Sequence, residues 1–176
     1  MSNEVEEIKN KIAESGLVSI DLKDFYPHGE RVIIDMKDHL FEGLILREKD
    51  FRAFVKNEDW TKYKNKNVAI TSSADAIIPT WAYMLLTSEL QPYAKMVVCG
   101  SKETLEAILF RENILEKLKP EQYKDKRVMI KGCGDLEIPA SAFVDAVNLL
   151  KPFVKSIMYG EACSNVPIYK SRSESV

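Results

Sequence analysis

Shifted by 60 residues, the chain matches itself. Tyr63, Lys64, Lys66, Val68 and Ile70 return as Tyr123, Lys124, Lys126, Val128 and Ile130. Asp75, Ile78, Pro79 and Ala82 return as Asp135, Ile138, Pro139 and Ala142, and Leu90, Pro92, Lys95 and Gly100 as Leu150, Pro152, Lys155 and Gly160. Positions 63–100 carry 13 identities in 38, with no gap. A period of this length is the mark of one supersecondary unit used twice, and it constrains the fold more than any overall composition does.

Each copy reads as strand, helix, strand. A short apolar run (Val68–Thr71, Val128–Lys131) enters a polar loop ending in Ile-Pro, and proline suits the first turn of a helix. The helix stops before Pro92 or Pro152. A second apolar run (Met96–Cys99, Ser156–Tyr159) ends at glycine. Two strands joined by a helix at this length pair in parallel through a right-handed crossover. Between the copies, Lys102 to Leu118 reads as a helix with Leu105, Ile108, Leu109 and Leu115 on its apolar side. Such alternation predicts an α/β fold with a mostly parallel sheet.

The remaining segments are expected to complete one domain of 176 residues, a length that suits a single core. Asn3 with Glu6 reads as a helix start, and Gly16 as its stop. Leu17–Leu22 and Arg31–Ile34 read as strands and Glu48–Asn57 as a helix; residues 36–47 are left open between strand and helix. The expected order is an N-terminal segment (1–60) on or extending the same sheet, a first copy (61–101), a connecting helix (102–121), a second copy (122–162) and a tail (163–176), with Lys170 and Arg172 in solvent.

Composition excludes some functions. Lys and Arg total 25 and Asp and Glu 27, so the net charge is −2, which argues against a nucleic-acid partner held by phosphate contacts. No stretch reaches the roughly 20 apolar residues that span a bilayer, and the acidic start is not a signal peptide. The expected location is the cytoplasm, where three cysteines are unlikely to be structural disulfides.

Ligands of open parallel sheets bind at the carboxyl ends of the strands. Four loops fall there: Ser72–Asp75, Gly132–Asp135, Gly100–Lys102 and Gly160–Ser164. The candidate ligand or metal residues are Cys133, Cys163, Asp75, Asp135 and Glu161. Cys133, between two glycines before a helix, is placed where a thiol gains reactivity, although packing explains it equally well. Cys163 follows the last strand. Asp75 and Asp135 share one position and fit loop shape as readily as chemistry. Cys99 reads as buried core, and Trp81 and Tyr83 as helix-to-sheet packing. Gly132-Cys133-Gly134 is a weak anion signal. A hydrolase built on Ser72 or Ser73 lacks a nearby base, and no Walker loop, dinucleotide fingerprint, Cys-x-x-Cys or His-Glu-x-x-His occurs.

Four stretches are similar to a known family. They are Phe41-Glu42-Gly43-Leu44-Ile45-Leu46-Arg47-Glu48-Lys49-Asp50-Phe51-Arg52, Ser73-Ala74-Asp75-Ala76-Ile77-Ile78-Pro79-Thr80-Trp81-Ala82-Tyr83, Lys131-Gly132-Cys133, and Met158-Tyr159-Gly160-Glu161-Ala162-Cys163-Ser164-Asn165-Val166-Pro167. Together they resemble DUF2480, a family of uncharacterised Bacteroidetes proteins, over nearly the whole chain. The resemblance brings no activity and no catalytic residue. It implies a neighbourhood of iron–sulfur assembly genes, which would suit loop cysteines.

The expectation is thus a cytosolic protein with a thiol or metal site at Cys133 and Cys163, linked to iron–sulfur or redox metabolism, with zinc or iron as the metal that thiolates suit. The alternative is a non-catalytic interaction or ligand-binding module using the same rim, its partner a protein, a second copy or a small molecule.

Overall fold

A computed structural model describes residues 16–132, 134, 136–161 and 164–171. The expected helix at Asn3 falls outside them. The described residues form seven strands: β1 (Leu17–Asp21), β2 (Arg31–Asp35), β3 (Asn67–Thr71), β4 (Met96–Cys99), β5 (Arg127–Lys131), β6 (Ser156–Glu161) and β7 (Ser164–Lys170). Among them run four α-helices: α1 (Glu48–Asn57), α2 (Thr80–Leu90), α3 (Lys102–Lys117) and α4 (Ala140–Leu150). The fold is α/β and its strands are mostly parallel.

The strands make two sheets, of order β1-β5-β6-β7 and β2-β3-β4. This corrects the expectation of one shared sheet. The chain likewise divides into two compact units. The middle unit is Pro27–Phe110; the terminal unit takes the residues up to Tyr26 and those from Arg111 on. The division falls within α3.

The reason for two sheets lies in the N-terminal segment. Its strands are themselves alike at a spacing of 14: Val18, Ile20, Asp21, Lys23 and Asp24 return as Val32, Ile34, Asp35, Lys37 and Asp38. β1 pairs in parallel with β5 and β2 with β3. The registers correspond, Leu17 opposite Arg127 and Arg31 opposite Asn67. Each strand–helix–strand segment therefore receives its own first strand, and neither needs the other's edge. Both first strands run into a 3-10 turn, Leu22–Phe25 or Met36–His39, whose N–H at Lys23 or Lys37 is capped by Asp21 or Asp35.

Local features recur at the 60-residue spacing. Pro79 and Pro139 stand just before α2 and α4 in extended conformation, one position earlier than expected, and their carbonyls accept from Ala82 and Ala142 at 2.9 Å. Ala82, Leu86 and Leu90 are buried along α2, and Ala142, Ala146 and Leu150 along α4. That i, i+4, i+8 row is one helical face. Asn65 and Asp125 both take positive φ, which their short polar side chains tolerate, and their N–H groups bond Tyr93 and Phe153 carbonyls at 2.9 Å.

The middle unit's core packs α1 and α2 on one face of its sheet, through Phe51, Val55, Leu86 and Trp60 over Ile34, Val68 and Ile70. Trp81 meets Phe51 ring to ring at 5.8 Å, as packing residues should. Ala69 and Val98, on the other face, meet Leu105 and Leu109 of α3. Residues 36–47, left open by the sequence, form the Met36–His39 turn and a tight turn closed by a Phe41–Ile45 bridge.

Two further expectations are corrected. Ser164–Lys170 is not an irregular tail but β7, antiparallel to β6, with Lys170 exposed as expected. Its Pro167 is tolerated because β7 is an edge strand. Cys99 is exposed rather than core. It is the last residue of β4, an edge strand, and that end of the strand is open to solvent although Val98 before it is buried.

Candidate functional site

In the terminal unit, β5 and β6 are parallel neighbours, so their carboxyl ends emerge side by side. Lys131 and Glu161 close those ends with an ion pair at 2.6 Å. Glu161, expected in a loop, is the last residue of β6. The loop after β5 begins at Gly132, where a Cβ would lie 2.5 Å from the Phe143 ring, so any larger residue would displace that ring. Gly134 has a φ of +136°, and the Lys23 ammonium occupies the space a side chain would need there. Cys133, Asp135 and Cys163 lie outside the described residues.

The middle unit's rim gathers different groups. Asp35, at the end of β2, accepts from the Ser73 and Lys37 N–H groups at 3.0 Å each. The Ser73 side chain, then the two backbone bonds, hold its carboxyl below the ordinary range. Asp35 is thus spent on fixing the loop after β3. Tyr83 is pushed up by burial, with negative charge at Cys99 and Asp35 adding to it. Asp75 is exposed on this rim. Ser72 Oγ is buried without a partner among the described residues. The sequence reading missed Asp35; the recurrence of Asp21 as Asp35 was the available signal.

The five candidate residues are therefore not seen as one cluster. Asp75 belongs to the middle unit's sheet and Glu161, engaged by Lys131, to the terminal unit's. Among the described residues no three His, Cys, Asp or Glu side chains converge as metal ligands, and no helix is long and apolar enough to cross a membrane.

The terminal unit also carries a groove the sequence did not announce. It runs between α4 and strands β5–β7, has a volume of ≈ 550 Å³, and is lined by Ile138, Phe143, Val144, Ile157, Tyr159 and Ile168 among others. Phe143 and Tyr159 meet edge to face at 5.6 Å. Gly132 abuts Phe143 and Ile138, so the groove reaches the loop that leads to Cys133.

A smaller pocket of ≈ 260 Å³ in the middle unit is lined by Asp38, His39, Arg47 and Asp50. His39 stacks on Phe54 at 3.8 Å and stands where the terminal unit buries Phe25. Burial lowers its pKa below 6.5, against the opposing charges of Asp38, Glu58 and Asp35. The unfolded chain then takes up the proton first as pH falls. Stability from this group is complete above pH 6.5 and is lost as pH drops toward the lower folded pKa. His39→Phe is expected to flatten the change in urea midpoint between pH 7 and 5; an unchanged slope would assign it to other groups.

Comparison with curated proteins and with solved structures found no match. A family model described as protein of unknown function matches residues 6–171, nearly the whole chain. With those residues matched, the chain belongs to the DUF2480 family.

Proposed function

We propose that the carboxyl rim of the terminal unit's sheet is a thiol site, with Cys133 and Cys163 as its reactive or metal-binding groups. The observation that carries this reading is the Lys131–Glu161 ion pair. It holds the ends of two adjacent parallel strands together, and each cysteine stands two residues further along the chain from one of its partners. Two residues span at most about 7 Å, so both thiols can reach one point. The Lys23 ammonium beside Gly134 favours a thiolate in that loop.

The donor set suits zinc or iron in part. Two thiolates are too few for a closed four-ligand site, so a carboxylate, water or a second chain completes it. Glu161 is a carboxylate of this rim, and it would first have to leave Lys131. Asp135 is a further candidate; Asp75 is the middle unit's counterpart of Asp135 and is not required. Such chemistry fits iron–sulfur or redox metabolism in the cytosol, where unpaired cysteines stay reduced. The test is metal content after zinc loading and gel filtration. The native chain is expected to retain about one zinc per site, and Cys133→Ser and Cys163→Ser each to lose it. Equal retention by all three would dismiss the metal reading.

A second reading, a non-catalytic ligand-binding module, is favoured by the ≈ 550 Å³ apolar groove, a size within the roughly 300–1,000 Å³ of small-molecule sites. We also take the two units to be copies of one ancestral unit. That makes the middle unit an internal reference for what the fold itself requires.

A further inference from the structure

We infer that the terminal unit's groove binds a single-chain fatty carboxylate, its apolar chain along α4 and its head group at the Lys151 end. The inference rests on the ligand-binding reading of the groove and adds the class of ligand.

The first argument is what the fold does not require. On the matching flank of α2 the middle unit carries Thr80, Thr87 and Ser88, where α4 carries Ala140, Val147 and Asn148. Thr87 and Ser88 bond their own helix carbonyls at Tyr83 and Leu85, each at 2.8 Å. A polar flank therefore serves this architecture. The terminal unit instead has Ala140 and Val147 in place of Thr80 and Thr87, beside Val144, which is 58% exposed as its counterpart Met84 is 67%, and it adds Ile168, 50% exposed, on the strand side. It also adds β7, which has no counterpart in the other sheet.

The second argument is charge at one end. Tyr169 stands opposite Ile157 on β6, hence on the groove face, and the Lys151 ammonium lies 5.5 Å from its ring centroid. Lys151 caps α4 one turn beyond Asn148, which lines the groove. Lys155 lies at the same end of the unit, its backbone carbonyl receiving the Ser171 N–H just after β7. The adjoining turn, Lys124-Asp125-Lys126, adds two lysines against one aspartate. The middle unit has Gln91 in place of Lys151. Phe143 and Tyr159 line the other end of the groove. An apolar trough with cations at one end complements an alkyl chain ending in a carboxylate.

The probe is sodium dodecanoate below its micellar concentration, titrated calorimetrically into the full chain, with dodecanol as the neutral control. One dodecanoate per chain is expected to bind saturably, and dodecanol at least about fivefold more weakly, as loss of one charge-assisted contact implies. Val144→Asp, at an exposed position, should weaken both at least tenfold. Lys151→Gln should weaken dodecanoate alone. Met84→Asp, the matching exposed position of the middle unit, should change neither, and cooperative unfolding of each variant shows that it is folded. Equal binding of acid and alcohol would overturn the carboxylate assignment while leaving an apolar-ligand site. No saturable binding of either would overturn both. A native dimer split by Val144→Asp would show the groove to be covered by a second copy, and the proposal would fail.

Discussion

A chain cut back to residues 61–176 is expected to be insoluble or molten rather than folded. The cut removes β1 and β2, so each sheet loses the strand beside β5 or β3. It also removes Ile20, Leu22, Phe25, Ile34, Met36, Leu46, Phe51, Val55 and Trp60, nine of the 30 buried hydrophobic residues among those described. Each contributes roughly 1.5–3 kcal/mol by its burial, and a whole domain is stable by only about 5–15 kcal/mol. The nine together amount to roughly 13–27 kcal/mol, and even half of that is comparable to the whole margin. α2 would also lose the Phe51 ring that α1 sets against Trp81. We propose on the same grounds that the chain folds as one domain, since the terminal unit is itself discontinuous, its first strand preceding the middle unit in sequence and the rest following it. Near-UV circular dichroism and urea titration check this. A soluble monomeric fragment with a single cooperative transition would contradict it.

Much of the fold was legible because its signals are local. Glu48–Asn57 and Met96–Cys99 were read with the bounds they have, since an apolar face repeating every three or four residues and a short apolar run closed by glycine leave little choice. The two-sheet arrangement was not legible from the 60-residue match alone. It depends on which partner β1 and β2 choose, and that choice is written in the shorter likeness between Val18–Asp24 and Val32–Asp38. β7 was hidden by Pro167, which argues against a central strand but not against an edge. Cys99 looked like core because apolar strands usually are; only the knowledge that β4 is an edge strand, open at that end, exposes it.

The candidate site was legible in position and not in membership. The rule that ligands sit at carboxyl ends of parallel strands selected the Gly132 and Gly160 loops, and the Lys131–Glu161 pair joins the strand ends beneath them. The same rule grouped Asp75 with them, because one sheet was assumed. The groove escaped notice because its α4 wall, with Val144 and Val147, is plain helix pattern until it is set beside Met84 and Thr87, and because Ile168 lines it from β7, a strand the sequence did not announce.

The thiol reading rests on Cys133 and Cys163 acting together, and zinc protection against alkylation tests this most directly. Native protein is treated with iodoacetamide near neutral pH, with and without one equivalent of zinc, and the labelled cysteines are identified by peptide mass. Cys99 is exposed in the other unit and serves as the internal reference. A thiolate is the species that both attacks the reagent and binds the metal, so metal that holds both thiols must silence both at once. The expected result is that zinc suppresses labelling of Cys133 and Cys163 in parallel, at least tenfold, while Cys99 reacts at an unchanged rate. Labelling of all three cysteines at the same rates with and without zinc would contradict the account.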